Sequence, residues 1–428
     1  MNADPCEATI ADLGDRGDGI ATVDGAPVYI AGALPGERVR FVPLAGAGSE
    51  RRGRLDAVLA PVPERVAPAC RHFGVCGGCA AQHMAAPLYG TWKQAVVIHA
   101  LAHRGFVAPP LAPLVMLPPG TRRRVKLRAE RTPAGLVVGF HGRQSHDVVA
   151  IAECPVSVPA IAGLIAPLGR FLNGLPGRIA LDIAVTATET GLDVIVSGPA
   201  RASRDLRSAL ARFADAEKLA RVGYAADGET YEIVAHRTRP VVRAGTIPVE
   251  LPPLAFLQPS VAGEAAIADA VAAALGDAAQ IADLFAGIGT FALREGIRRR
   301  VHAYDADAAA IAALTAAAGR TPGLRVAAAV RDLFRRPLAG AELGDLDAVV
   351  FDPPRQGANA QAAALAASDV PTVVAVACDA GTFARDARIL VDGGYALERV
   401  EPIDQFPWTA EIELVATFHK ARRRRPRR

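Results

Sequence analysis

No stretch of this chain stays apolar for the ~18 residues that a bilayer span requires, because charge interrupts every apolar run. No membrane association is therefore expected. The opening residues, MNADPCEATIADLGDRGDG, are acidic and lack the apolar core of a secretory leader. Disulfides are not called for either: of six cysteines, four form a cluster, Cys378 has a separate place, and only Cys6 is left unassigned. These absences make a reducing cytoplasm the expected compartment. There is no internal repeat, and with no heptad or swapped-strand pattern a monomer is expected.

What is present is globular. The 428 residues are 51% hydrophobic and 21% charged, enough for two or three domains. The formal charge of +4 conceals an uneven distribution. Arg122 to Arg143 holds seven Arg/Lys against one acid, Glu130, and Lys420 to Arg428 holds seven more with none. Basic blocks of this kind suit a polyanionic partner; a solvated face and a disordered tail are the plainer alternative.

Three thiols fall within ten residues, Cys70, Cys76 and Cys79 in ACRHFGVCGGCAAQH, and Cys154 follows in AECPV. A packed core does not need that spacing, and it is the usual way a chain holds a metal centre. The sequence places nothing of this cluster beside Cys378, so a structural or RNA-contacting role is expected for it.

Residues 1–60 alternate in short stretches broken by Gly pairs and Pro-Gly, which predicts a small OB-like barrel. Residues 86–105 predict one amphipathic helix. Residues 61–240 read as a central α+β domain, with strands in RRRVKLRAE, GLVVGFHG, DVVAIAECPV, IALDIAVTAT, GLDVIVSG and ETYEIVAH and a helix through AIAGLIAPLGRFLNGL. From 241 to 428 strand and helix alternate, which predicts a Rossmann-like α/β domain with a doubly wound parallel sheet. Its last two strands, joined only by FPWTA, must run antiparallel.

DLFAGIGTF, Asp283 to Phe291, is a strand ending in a glycine turn. Gly287 and Gly289 allow close backbone approach to a ligand. The next strands end near Asp305, Asp332 and Asp352, at the edge where open α/β sheets bind ligands. Asp305 suits a ribose and Asp332 an adenine amino group, although a turn or cap role competes strongly for Asp332. Ala292 stands where a third glycine would complete G-x-G-x-x-G, and no P-loop lysine follows. A nucleoside without pyrophosphate, S-adenosylmethionine foremost, is the expected ligand.

The strand TVVAVAC brings Cys378 to the same edge, directly before a helix. The helix N-terminus is expected to favour its thiolate near neutral pH. On the return strand Glu411 and Glu413 are expected to share one face, either of them available as a base. Thiolate, methyl donor and carboxylate together suggest C5 methylation of uracil, with thiolate addition at C6 and proton removal from C5. The basic strands and the barrel would hold the RNA, with the target base flipped out.

These residues resemble the RNA 5-methyluridine methyltransferases, and most closely the RumA-type branch acting on 23S ribosomal RNA. The likeness spans nearly the whole chain. It implies a TRAM domain over residues 1–60 and a [4Fe–4S] cluster on Cys70, Cys76, Cys79 and Cys154. It implies that Gln258 (in LAFLQPS), Phe285, Gly287, Thr290, Asp305, Asp332 and Asp352 line the S-adenosylmethionine site. It makes Cys378 the nucleophile and picks Glu413 over Glu411 as the base. The chain departs from the pattern at Ala377-Cys378-Asp379-Ala380, where Ser-Cys-Asn-Pro is usual, and at Trp408 and Glu411, where histidines are usual. Asp379 beside the thiol would raise its pKa.

Other readings stay open. The thiols could bind zinc. Asp352-Pro353-Pro354 could serve an adenine-N6 or guanine methyltransferase, though Arg355 follows where those carry an aromatic. The substrate could be a transfer RNA, or the chain could be a non-catalytic ribosome-assembly factor.

Overall fold

A computed structural model describes residues 4–44, 50–143, 145–227 and 231–420. The basic tail anticipated beyond Lys420 lies outside them. No described helix is long and apolar enough to cross a membrane.

Five strands, β1 (Cys6–Leu13), β2 (Asp18–Val23), β3 (Ala26–Ala31), β4 (Arg38–Leu44) and β5 (Arg51–Ala60), close a barrel in the order β1-β2-β3-β5-β4. Closure removes the exposed edges that a small sheet would otherwise carry. The barrel packs its own interior around Ile10, Ile30, Val39 and Phe41. It docks on α1 (Ala86–Ala102), where Trp92 Nε1 donates to the Gly14 carbonyl at 2.9 Å.

After the short β6 (Val115–Met116) comes the central sheet. Its strands are β7 (Arg124–Thr132), β8 (Gly135–His141), β9 (Val148–Ala150), β10 (Ala180–Thr188), β11 (Gly191–Gly198), β12 (Arg221–Ala226) and β13 (Glu232–His236). They lie in the order β13-β12-β11-β10-β7-β8-β9, and α2 (Pro159–Asn173) and α3 (Arg204–Ala216) share their core. The sequence reading passed over α3 and β12. Together they form a crossover that lays β12 parallel to β11. Fully buried but for its last residue, and with Gly223 mid-strand, β12 shows no alternation to reveal it.

A hairpin of β14 (Val241–Ala244) and β15 (Ile247–Glu250) leads into α4 (Val261–Leu275) and the last sheet. Here β16 (Gln280–Leu284), α5 (Ala292–Glu295), β17 (Arg300–Asp305), α6 (Ala308–Arg320), β18 (Val326–Val330), β19 (Ala348–Phe351), α7 (Asn359–Ala366), β20 (Thr372–Ala377), α8 (Ala380–Asp392), β21 (Tyr395–Asp404) and β22 (Glu413–Lys420) alternate as anticipated. The order is β18-β17-β16-β19-β20-β22-β21-β6. The strands from β18 to β20 are mutually parallel, and β22 returns antiparallel between β20 and β21. Strand order reverses between β16 and β19, which opens a crevice at their carboxyl ends.

Candidate active site

The glycine turn after β16 is built for approach from one side. Phe285 (φ 64°), Gly287 (φ 53°) and Gly289 (φ 93°) all take left-handed backbone. A side chain at Gly287 would meet nothing within 4 Å, so the backbone there is open to a ligand. Gly289 is glycine for a different reason, because Leu314 of α6 would lie 2.8 Å from an added Cβ. Beneath the turn, buried Asp283 accepts the Ala292 amide at 2.8 Å. Phe285, Gly287 and Thr290 remain half-buried.

The acids at the strand ends are not equivalent. Asp305 accepts the Gly287 amide and the Asp307 amide, both at 2.8 Å, and so shapes the glycine turn itself. Asp332 accepts the amides of Phe334 and Arg335 at 3.0 and 3.2 Å, and Arg335 pairs with its other oxygen. The competing turn role for Asp332 is therefore real. That turn sets Phe334 against Phe285, with ring centroids 5.3 Å apart. Phe334, which sequence reasoning missed, is 42% exposed and gives the crevice a flat apolar wall.

Asp352 directly follows β19 and accepts from Gln258 Nε2 at 3.1 Å. Gln258 Oε1 in turn accepts from Gln405 Nε2 at 2.7 Å, and the same nitrogen donates to Glu413 Oε2 at 2.6 Å. Two carboxylates are thus joined by two amides, and Gln258, Gln405 and Glu413 are all buried. Burial raises Asp352 to about 7, against the Gln258 hydrogen bond. Glu413 is held well above the carboxylate range, first by burial and then by the Asp352 charge, with the Gln405 hydrogen bond opposing. Gln405 carried no signal in the sequence.

Cys378 follows β20. Leu414 pairs with Ala377, so Glu413 stands at the level of Cys378. The helix N-terminus does not leave the thiol acidic here. Burial, then the charges of Glu413 and Asp352, push it up to about 12, with Arg355 working against them. Asp379 is not among the largest of these influences. Its carboxylate caps α8 through the Thr382 amide at 2.9 Å and lies 3.5 Å from Arg355.

Glu411 and Glu413 do not share a strand face. The strand starts at Glu413, and Glu411 lies in the loop before it, held by Arg355 at 2.8 Å. Burial and the Gln405 bond therefore separate two acids that alternation alone would treat alike.

That loop is anchored from below. Asp404 ends β21 buried, bound by Lys93 Nζ at 2.8 Å and Tyr89 Oη at 2.5 Å, both from α1. Lys93 also donates to the Glu411 carbonyl. Trp408, with φ 61°, donates its amide to Tyr89 Oη at 2.8 Å. Its carbonyl accepts the amides of Ala80 and Ala81 at 2.7 and 3.1 Å, directly after Cys79.

The thiol cluster is consequently not remote. Cys70, Cys76, Cys79, Cys154, Arg122, Lys126 and Cys378 line one cavity of about 630 Å³. All the cysteines are free, and burial pushes the Cys79 thiol up to about 11 with its cluster neighbours adding to the effect. Among the described residues no three His, Cys, Asp or Glu side chains form a group that could hold a metal ion. The four thiols face a shared space instead.

The basic block divides. Arg123 is buried and bound to the Gln258 carbonyl and to Glu264. Arg131 caps the end of α2 through the Leu172 and Asn173 carbonyls. Arg143 reaches Asp18 of the barrel. These three hold the fold and are withdrawn from any polyanion. Exposed Lys126, paired with Asp182 at 2.8 Å, and half-buried Arg122 both line the cavity wall, and half-buried Arg124 lies over exposed Phe256.

No family model matches the chain. It is 44% identical over 419 residues, 97% of this chain and 98% of the other, to an uncharacterized RNA methyltransferase of Brucella suis biovar 1. It is 33% identical over 441 residues, 97% of each, to the 23S rRNA (uracil(1939)-C(5))-methyltransferase RlmD of Alkalilimnicola ehrlichii. Its fold matches that of the Pyrococcus abyssi tRNA (uracil-54, C5)-methyltransferase at TM-score 0.74 and 20% identity, over 96% of this chain and 99% of that one.

Proposed function

Because this chain belongs to the RNA 5-methyluridine methyltransferases, we propose that it methylates C5 of one uridine in 23S ribosomal RNA, using S-adenosylmethionine. One observation carries the reading: the register of β20 and β22 sets a buried carboxylate, Glu413, level with the free thiol of Cys378. A methyltransferase acting on an exocyclic nitrogen has no use for that pair. The ribosomal target is favoured by the relative that carries that name over 97% of the chain.

Bound S-adenosylmethionine would supply an electrophilic methyl group. Phe285 and Phe334 offer a flat apolar wall for its adenine, Gly287 an open backbone, and Thr290, Asp305, Asp332, Asp352 and Gln258 the polar rim. The remaining chemistry belongs to the protein. The Cys378 thiolate adds to uracil C6, and the C5–C6 π pair moves toward C5 and O4. C5 takes the methyl group. Glu413 then accepts the C5 proton, the C5–H pair restores the double bond, and the C6–S pair returns to sulfur. A thiol pushed up to about 12 is protected until substrate arrives; a cation beside Asp352 and Glu413 offsets the charges that raise it.

We assign the cluster thiols to a [4Fe–4S] centre. The support for this reading is that four free cysteines line one cavity. Its role would be to fix the Cys79–Ala81 loop, and with it the Trp408 carbonyl. Residues 1–60 would be a TRAM-type RNA-binding barrel, 61–240 the cluster-bearing RNA-binding domain, and 241–428 the catalytic domain.

The test uses 23S ribosomal RNA containing 5-fluorouridine, with a labelled methyl donor. Fluorine at C5 cannot leave as a proton, so a covalent protein–RNA adduct should form at one nucleotide and be absent with Cys378→Ser. Adduct formation on transfer RNA alone would move the target. No adduct on either RNA, with methyl transfer intact, would sink the mechanism.

A further inference from the structure

The environment of Glu413 contains one group that the reaction does not require and the geometry singles out. Gln405 is 2% exposed, and its Nε2 is committed to two acceptors, Gln258 Oε1 and Glu413 Oε2. With both partners accepting, the amide can sit only one way round. Its Oε1 is buried with no hydrogen-bond partner. An unpaired buried carbonyl costs free energy, so the orientation is set by the nitrogen's two bonds and not by comfort at the oxygen.

The fold also makes room for this side chain. In the first turn of α4, a Cβ on Gly263 would lie 2.5 Å from Gln405 Oε1 and 2.8 Å from Gln405 Cβ. A glycine in a helix costs about 0.5–1 kcal/mol relative to alanine. Here it accommodates an amide wedged between the helix start and the carboxylate.

We propose that Gln405 is a positioning residue for proton removal: its amide nitrogen holds the Glu413 carboxylate as a hydrogen-bond acceptor facing Cys378 and ties it, through Gln258, to Asp352. The inference rests on the C5-methylation reading above. A carboxylate that must take a proton has to be ionised when substrate is ready. The other titratable groups around the pair, Asp352 at the end of β19 and Cys378 after β20, oppose a further negative charge there. Arg355, the nearby cation, is engaged by Glu411 and Asp379. Gln405 is therefore the donor that stabilises the ionised base. Once Glu413 carries the proton, that bond weakens, which favours handing the proton on.

The experiment compares wild type with Gln405→Met and Gln405→Asn on unmodified 23S ribosomal RNA. Readouts are kcat against pH, S-adenosylmethionine affinity, and the covalent protein–RNA species that survives denaturing electrophoresis. Without the donor, Glu413 becomes a weaker acid and its ionised fraction at neutral pH falls. The rising limb of kcat should move to higher pH, by about one unit for one lost hydrogen bond. The methylated adduct should accumulate at pH 7 and drain at higher pH, with cofactor affinity retained. Should Gln405→Met fail to fold, Gly263→Ala, which displaces the amide without removing it, should give the same signature. An unshifted kcat limb with no trapped adduct in a variant that still binds cofactor overturns the proposal. If wild type itself forms no adduct with 5-fluorouridine RNA, the C5-methylation reading fails first, and that result is separate.

Discussion

The Ala80 amide donates to the Trp408 carbonyl at 2.7 Å, which ties the loop carrying Cys70, Cys76 and Cys79 to the loop that precedes Glu413. Trp408 sits in left-handed backbone, a strained state for a non-glycine residue that costs of order 1–3 kcal/mol and persists only when surroundings impose it. The surroundings are the Ala80 and Ala81 amides on one side and Tyr89 Oη on the other. Loosening the first set should release the second loop. In Cys79→Ala, amide hydrogen exchange should rise at residues 405–412 as well as 78–85, while S-adenosylmethionine affinity holds. Turnover should fall on the order of 100-fold, the usual cost of displacing a reacting group by about 1 Å. Unchanged exchange at 405–412 would show that the two loops are independent.

The pH dependence of cofactor binding follows from Asp352. Burial holds its carboxyl at about 7, so near neutrality it is partly protonated. A cationic ligand alongside favours the ionised form and lowers that value, so binding releases a proton. Affinity for S-adenosylmethionine should therefore rise between about pH 6 and pH 8, by at most about tenfold per unit for one proton. S-adenosylhomocysteine, whose sulfur is neutral, should show a much flatter profile. Calorimetry in buffers of different ionisation enthalpy would count the proton. Parallel profiles for the two ligands would mean that Asp352 does not face the sulfonium.

Glu413→Gln separates the two halves of the reaction. On the proposed mechanism the thiol should still add and the methyl group still transfer, with no base left at C5. Multiple-turnover rate should drop about 10²–10⁴-fold. A stoichiometric, methyl-labelled protein–RNA adduct should persist on unmodified RNA. Glu411→Gln should leave no such adduct, because Glu411 is held by Arg355 outside the strand. If Glu411→Gln traps the adduct and Glu413→Gln does not, the roles are reversed.

Much of this site was legible before any coordinates. Local signals were enough wherever the chain repeats a period or spends a glycine. Seven of the eight strands of the last sheet, β16 to β22, and the barrel strands could be read that way, as could the edge positions of Gly287, Asp305, Asp352 and Cys378. What could not be read are contacts between distant segments. Lys93 and Asp404 lie more than three hundred positions apart, and neither looks unusual on its own. Gln405 sits in a short loop whose sequence gives no reason to prefer an amide, until Gln258 and Glu413 are seen on either side. The basic strand misled for the same reason. Charge counting treats Arg123 and Lys126 alike, whereas Arg123 is buried against Glu264 and the Gln258 carbonyl and Lys126 stays exposed beside Asp182. Alternation placed Glu411 and Glu413 on one face because it assumed that the strand began two residues earlier than it does.

The buried pair beneath the base loop gives a stability test with a built-in control. Lys93 Nζ and the Asp404 carboxylate are both essentially inaccessible to solvent and 2.8 Å apart. Burial pulls the Lys93 ammonium below its ordinary range, and Asp404 opposes that shift. Removing the cation alone leaves a buried carboxylate with, among the described residues, only the Tyr89 hydroxyl and the Phe406 amide as donors. Lys93→Met should cost about 3–5 kcal/mol in denaturant unfolding. It should also free the Glu411 carbonyl that Lys93 holds, so activity should fall further than stability predicts. Lys93→Met combined with Asp404→Leu removes both charges and should recover most of the lost stability, since an apolar replacement of a buried ion pair is often neutral. Activity should not return with it, because the anchor of the 405–412 loop would still be missing. Recovery of both together would show that the pair serves the fold alone.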